Sequence, residues 1–250
     1  MTDQALEQLK DLLHASSRTV IFTGAGVSTE SGIPDFRSPG GTWSKYQPIE
    51  FSDFIASEEM RRQSWSRKFA TDVELIAAQP NRGHRAIAKL IEFGKAACII
   101  TQNIDGLHQA SGIPDEKIVE LHGNTTYATC LDCAVRQELE PIKKRFLEDD
   151  IIPTCDECGG IVKAATISFG QPMPEAPMQA AKTETDLTRL FIAIGSSLVV
   201  FPAAGFPLLA ARNGAKLVII NREPTGMDQY ADVVINREIG PTLGEVVGVN

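Results

Sequence analysis

A chain of 250 residues suits one large domain, or a large domain carrying a smaller inserted one. With 24 Lys and Arg against 32 Asp and Glu, the formal net charge is −8. That argues against a nucleic-acid-binding protein and is compatible with basic partners such as lysine-rich peptide segments. Hydrophobic residues make up 43%, enough for a sizeable core, yet no apolar run approaches the roughly 20 residues of a membrane span. The polar, acidic start, Met1 to Lys10, does not read as a signal peptide. The expectation is a cytoplasmic protein without membrane attachment, whose five cysteines form no disulfide framework.

In chain order, Ala5, Leu6, Leu9, Leu12 and Leu13 repeat with a helical period. Residues 18–23 read as a first buried strand, and Ser38-Pro39-Gly40-Gly41 breaks the chain. Residues 51–79 read as helical, with Phe54, Ile55, Met60, Trp65, Phe69, Val73 and Ile76 as inward candidates, ended by Pro80-Asn81. A helix is expected over 82–93 and a fully buried parallel strand over 96–101. A short strand follows over 118–121. Residues 124–160 differ in composition, hold four of the five cysteines and carry a charged helix around 140–149, so they read as an inserted module. Strands are expected again over 165–169, 190–194, 216–220 and 232–235, with a helix over 203–213. Strands alternating with helices predict an α/β fold with a parallel, doubly wound sheet.

The apolar run Val20-Ile21-Phe22 leads into Thr23-Gly24-Ala25-Gly26. A strand that ends in a small-residue turn presents backbone N–H groups closely enough to hold a diphosphate. The dehydrogenase pattern G-x-G-x-x-G is not met, because Thr29 stands where the third glycine belongs. A nucleotide loop of another type and a plain tight turn both remain open on this stretch. Cys130-x2-Cys133 and Cys155-x2-Cys158 are separated by 21 residues. Two such pairs supply four thiolates to a closed, structural Zn²⁺ site with no open position for catalysis. Cys98 lies in a predicted strand and reads as a small core residue.

Polar loops also follow three other strands: Gln102-Asn103-Ile104-Asp105, Gly195-Ser196-Ser197 and Asn221-Arg222-Glu223. Residues at the carboxyl ends of parallel strands face the ligand crevice. His122 stands at another strand end, before Gly123-Asn124, where an ordinary imidazole near 6.5 suits proton abstraction. His14 and His84 lack such a setting and read as structural or surface residues.

The stretch Gly24-Ala25-Gly26-x-Ser28-x-x-Ser31-Gly32-Ile33-Pro34-Asp35-Phe36-Arg37, with Gln102-Asn103-x-Asp105 and His122-Gly123, is similar to the signature of the sirtuins. These are NAD-dependent protein-lysine deacylases. The likeness runs from about Leu12 to Gly248, and residues 37–54 and 62–69 look most like the class II branch. It implies a Rossmann-like domain (1–37, 81–123 and 164–250), a helical module (38–80) and a zinc-binding module (124–163). It implies NAD contacts at Gly24, Ala25, Gly26, Glu30, Asp35, Phe36 and Arg37, and at Gln102, Asn103, Ile104 and Asp105. Further contacts are implied at Gly195, Ser196, Ser197, Asn221, Arg222, Glu223 and Ile239. His122 would be the general base, with Asn103 and Asp105 beside it in catalysis, and His108 a structural hydrogen-bonding residue. An acyl-lysine peptide would meet Thr166, Phe169, Gly170 and Val199. The segment Lys163-Ala164-Ala165-Thr166-Ile167-Ser168-Phe169-Gly170-Gln171 departs from the family pattern at a proline, a valine and a glutamate, so the acyl preference is its own question. Mono-ADP-ribosylation from the same NAD site is an alternative that product analysis separates. A non-catalytic NAD sensor is another, against which His122, Asn103 and Asp105 together argue.

Overall fold

The structure, a computed structural model, describes residues 2–36, 40, 41, 44 and 46–250, without the side chains of 2, 3, 73 and 74. Arg37, expected to touch the cofactor, lies outside the described residues, as does the side chain of Val73. The strands, in chain order, are β1 (Thr19–Thr23), β2 (Cys98–Thr101), β3 (Ile118–Glu120), β4 (Gly123–Cys130), β5 (Arg136–Glu138), β6 (Val162–Thr166), β7 (Leu190–Ile194), β8 (Lys216–Ile220) and β9 (Val233–Ile235). The helices are α1 (Thr2–Ala15), α2 (Phe51–Ala56), α3 (Glu58–Ala77), α4 (Arg82–Glu92), α5 (Leu107–Ala110), α6 (Leu139–Asp149), α7 (Glu175–Leu187), α8 (Gly205–Arg212) and α9 (Ile239–Val247).

The apolar runs form the six-stranded sheet β3-β2-β1-β7-β8-β9, parallel throughout. Every residue of β1, β2 and β7 is buried, as a sheet covered on both faces requires. On one face Ile21, Ile99, Ile192 and Val218 pack with Leu6 and Leu9 of α1, Ile87 of α4 and Leu243 of α9. On the other, Val20, Phe22, Ile100 and Phe191 pack with Ala181 of α7 and Phe206 and Ala210 of α8. The chain order reverses between β1 and β7, so the loops after these two strands flank the crevice where such sheets bind ligands.

The smaller body joins α3 to the cysteine-bearing segment through one core. Trp65 stacks on Phe69 at 5.4 Å, and both pack with Ala128, Ile142, Phe146 and Val162. Its sheet, β5-β4-β6, is antiparallel. This corrects the expectation of a strand over 165–169 in the main sheet: β6 ends at Thr166 and pairs with β4, because β7 already occupies the place beside β1. The single helix expected over 51–79 is broken at Ser57, whose side chain caps α3 by accepting from the Met60 N–H. Ile55 and Ile76, expected inward, are 39% and 69% exposed. Two helices, α7 and α9, were not legible as such, and Asn81 proves to open α4 rather than merely end α3. Its Oδ1 accepts from the N–H groups of Gly83 and His84, while its Nδ2 donates to Val27 O at 2.8 Å.

Candidate active site

The site is built where two small-residue loops interlock. The Gly24 N–H donates to Ile194 O at 3.0 Å and the Gly26 N–H to Gly195 O at 2.8 Å. A Cβ on Gly24 would stand 2.7 Å from Gly195 O, and one on Gly26 2.8 Å from the same atom. Gly195 has a φ of +63°, the left-handed region that suits glycine, and its own Cβ would meet Val27 N at 2.4 Å. The glycines therefore serve loop-to-loop approach at the switch point, which leaves short backbone facing the crevice.

Together these loops form one wall of a cleft of about 470 Å³, within the usual range for a small-molecule site. Of the expected residues, Gly24, Ala25, Gly26, Asp35, Phe36, Gln102, Asn103, Ile104, His122, Thr166, Phe169, Gly170, Gly195, Ser196, Ser197, Asn221, Arg222, Glu223 and Ile239 all line it. Glu30 does not; its carboxylate accepts from the Gly240 N–H at 2.7 Å and so ties the first loop to the start of α9. Asp105 is also set back from the wall. Its carboxylate accepts from Ser28 Oγ at 2.7 Å and from the Leu107 N–H at 2.9 Å. Val199 is 56% exposed and is not part of the cleft wall, which is made instead by Val200 and Phe201. Arg237 and Glu238, which precede Ile239, were missed; only their place after β9 marked them.

Half-buried His122 follows β3. Its Nδ1 lies 3.1 Å from Gln102 O. A carbonyl only accepts, so in the neutral ring the proton sits on Nδ1 and Nε2 is left as an acceptor. Burial lowers the pKa of this imidazole, and the Gln102 carbonyl partly opposes the shift. The neutral, base-competent form therefore dominates at pH 7. Asn103 is buried, with its N–H bonded to Thr101 Oγ1 at 3.0 Å and its Nδ2 to Ser28 Oγ at 3.2 Å. Among the described residues its Oδ1 has no partner, a buried acceptor that a ligand N–H would satisfy. Behind it, His108 Nε2 meets Thr23 Oγ1 at 2.9 Å and its ring lies 5.1 Å from that of His84. Both rings are buried, so desolvation lowers His84 to about 4 and His108 to about 3. His84 is thus structural, and His14 is exposed.

Away from the cleft, the Sγ atoms of Cys130, Cys133, Cys155 and Cys158 all lie within 4.8 Å of one another, with separations of 3.5 and 3.7 Å for two pairs. Thiolates at 2.3 Å around a tetrahedral ion stand about 3.8 Å apart, so the donor set fits Zn²⁺. None of the four is disulfide-bonded. Cys98 is buried in β2, and desolvation pushes its thiol up to about 12, as an inert core residue requires.

A parallel doubly wound domain, a switch-point cleft with a neutral histidine and a four-cysteine module define a nucleotide-dependent enzyme with a structural metal. Residues 24–202 match the Sir2 family. The chain is 56% identical over 243 residues to NAD-dependent protein deacetylase 1 of Bradyrhizobium diazoefficiens, covering 97% of this chain and 95% of that one. It is equally 56% identical over 243 residues to the NAD-dependent protein deacetylase of Rhodopseudomonas palustris, covering 97% and 96%. A solved complex of Sir2 with a p53 peptide and NAD+ superposes with a TM-score of 0.85 at 36% identity, covering 97% of each chain. The chain belongs to the Sir2 family, the sirtuins.

Proposed function

We infer that this chain is an NAD-dependent protein-lysine deacylase in which His122 is the general base. The observation that carries the assignment is the cleft itself: one cavity joins the interlocked glycine loops, the accepting Nε2 of His122 and the Thr166–Gly170 segment. Bound NAD would supply an anomeric carbon from which nicotinamide leaves as the acyl-lysine oxygen takes its place; with one water consumed to break the acyl–lysine C–N bond, the products are lysine, nicotinamide and O-acyl-ADP-ribose.

The chain's own residues divide the work. The loops after β1 and β7 hold the diphosphate with short backbone and with Ser196, whose Oγ accepts from Gln102 Nε2 at 2.9 Å. Asn221, Arg222 and Glu223 face the adenosine end. Asn103 takes the nicotinamide amide on its Oδ1, which has no partner among the described residues. Asp105 acts through Ser28 and Asn103, placing negative charge behind the ribose where positive charge develops. His122 removes a ribose hydroxyl proton at Nε2, and Phe36 excludes water. The peptide lies as an added strand between Gly170 and the loop bearing Val199 and Phe201, whose exposed apolar side chains flank the cleft. Free cysteines at a zinc site suit a reducing, cytoplasmic setting.

The test uses an acetyl-lysine peptide, NAD and mass-spectrometric product analysis. Equimolar deacetylated peptide, nicotinamide and acetyl-ADP-ribose are expected. His122→Ala should lose about 10²–10⁴-fold in rate with NAD binding retained. Label from NAD on a protein acceptor without deacetylation would redirect the assignment to ADP-ribosylation.

A further inference from the structure

Lys163 on β6 is 4% exposed, and among the described residues no carboxylate pairs with it. Buried ammonium groups are costly unless they satisfy something that would otherwise cost as much. Here the Nζ folds over its own strand, toward the residues that follow it. It donates to the carbonyl of Thr166 and lies 3.4 Å from that of Ala164. It also stands 5.9 Å from the ring of Phe54 on α2.

The strand needs such a clamp at this point. The β4–β6 ladder is regular from Cys130↔Val162 to Ala128↔Ala164 and then slips, resuming at Gly123↔Thr166. Four residues of β4 oppose one of β6 across the slip, so β4 bulges and the end of β6 loses the regular ladder that would otherwise hold it. Where pairing resumes, the strands come so close that a Cβ on Gly123 would stand 1.9 Å from Ala165 O. Directly after the Thr166 carbonyl, the Ile167 N–H donates to His122 O at 2.9 Å. The two sides of one peptide unit are thus held, the carbonyl by Lys163 and the N–H by the main chain of His122.

We propose that Lys163 is a positioning residue: by fixing the Thr166–Ile167 peptide through the Thr166 carbonyl, it sets the height of His122 over the cleft. The ammonium reaches the imidazole through one peptide unit and touches neither substrate. Thr166 and Ile167 also line the cleft, so the same clamp fixes the wall nearest the acyl group. Desolvation lowers the Lys163 ammonium to about 8, as suits a buried charge held by carbonyl dipoles and an aromatic face.

The inference rests on the deacylase reading, and its test separates the two. Departure of nicotinamide precedes the step that needs His122, so exchange of labelled nicotinamide into NAD reports the first step and deacetylated peptide the second. The ratio of deacetylation to exchange is independent of the fraction of folded enzyme. In Lys163→Met, which keeps the stem and removes the donors, the ratio should fall about fivefold or more, with NAD KM within about twofold of wild type. Should Lys163→Met not accumulate, Lys163→Gln, too short to reach Thr166 O, should show the same fall. A ratio within twofold of wild type in the variant measured overturns the positioning role. Wild type that neither deacetylates nor exchanges overturns instead the activity on which the inference stands.

Discussion

The contact between Gly26 and Gly195 makes a quantitative prediction, because Gly26 has no backbone requirement for glycine; only space demands it. In Gly26→Ala the new methyl would stand 2.8 Å from Gly195 O and 2.9 Å from Gly195 Cα, both of them backbone atoms that cannot rotate away. Overpacking of this kind costs about 1–3 kcal/mol. For a chain of this size each kcal/mol moves Tm by about 2–4 °C, so Tm should fall by about 2–12 °C. The strain is relieved by spreading the loops after β1 and β7, which breaks the 2.8 Å hydrogen bond between Gly26 N–H and Gly195 O. Re-closing them around a diphosphate would then cost about 1.4 kcal/mol or more, a tenfold rise in NAD KM. Gly205→Ala is the control, since nothing among the described residues lies within 4 Å of its Cβ position and its backbone is not left-handed. Differential scanning fluorimetry and initial rates against NAD concentration measure both effects. If Gly26→Ala and Gly205→Ala share one Tm and one NAD KM, the interlocked loops do not shape the site.

Three other outcomes follow from the same geometry. Freshly purified protein should carry one zinc per chain, and a strong chelator should lower Tm together with activity, because structural zinc contributes folding energy; well under one zinc removes the four-cysteine site. His84, held to about 4 against 6.5 unfolded, takes its proton first in the unfolded chain, so the stability linked to it is complete above pH 6.5 and is lost as pH falls toward 4. The linked stability is on the order of 3 kcal/mol, and urea unfolding free energies that match at pH 7 and pH 5 would contradict it. Because burial lowers His122, the acid limb of kcat/KM should have its midpoint below 6.5; a midpoint above 7 would mean that another group sets it.

Much of this arrangement was legible because it rests on local rules. Val20-Ile21-Phe22 could only be a covered strand, and the paired cysteines had one chemistry that used all four. What escaped were elements decided by partners distant in sequence. The helix α7 hides its period, since its buried positions are Ala181 and Thr185 rather than large apolar residues. The helix α9 contains Gly240, Pro241 and Gly244, all poor helix formers. Space explains Gly244, where a Cβ would meet the backbone atom Val249 O at 2.7 Å, while one on Gly240 would displace the Glu30 carboxylate that binds its N–H. The strand β6 read as part of the main sheet because Ala-Ala-Thr-Ile suits either sheet, and only the pairing of β7 with β1 decides between them. Among site residues, motif position placed Asp105 beside the ligand, whereas its hydrogen bonds to Ser28 and Leu107 draw it one layer back.

The acyl group that the cleft prefers can be argued from where the cations are. Sirtuins that favour succinyl or malonyl lysine are marked by a Tyr-x-x-Arg pair in the helical module; here the corresponding place reads Trp65-Ser66-Arg67-Lys68. Trp65 is buried in the core of the small body, stacked on Phe69. Lys68 forms an ion pair with Asp72, and both side chains are largely buried. The two nearby arginines are also engaged. Arg67 donates to Gln47 O at 2.6 Å and to Gln63 Oε1 at 2.8 Å and lies over the Tyr46 ring, while Arg62 pairs with Asp150. Recruiting any of them to a distal carboxylate would break hydrogen bonds already formed, and leaving that carboxylate unpaired in the tunnel would cost more. Charge-assisted hydrogen bonds contribute about 1.5–3 kcal/mol each, so their absence should favour acetyl over succinyl lysine by more than tenfold. The Thr166 hydroxyl on the wall softens the discrimination only for small polar acyl groups. The measurement is kcat/KM for both acyl groups in one peptide sequence. A ratio favouring succinyl would show that Arg62 or Arg67 leaves its present partners to bind the substrate.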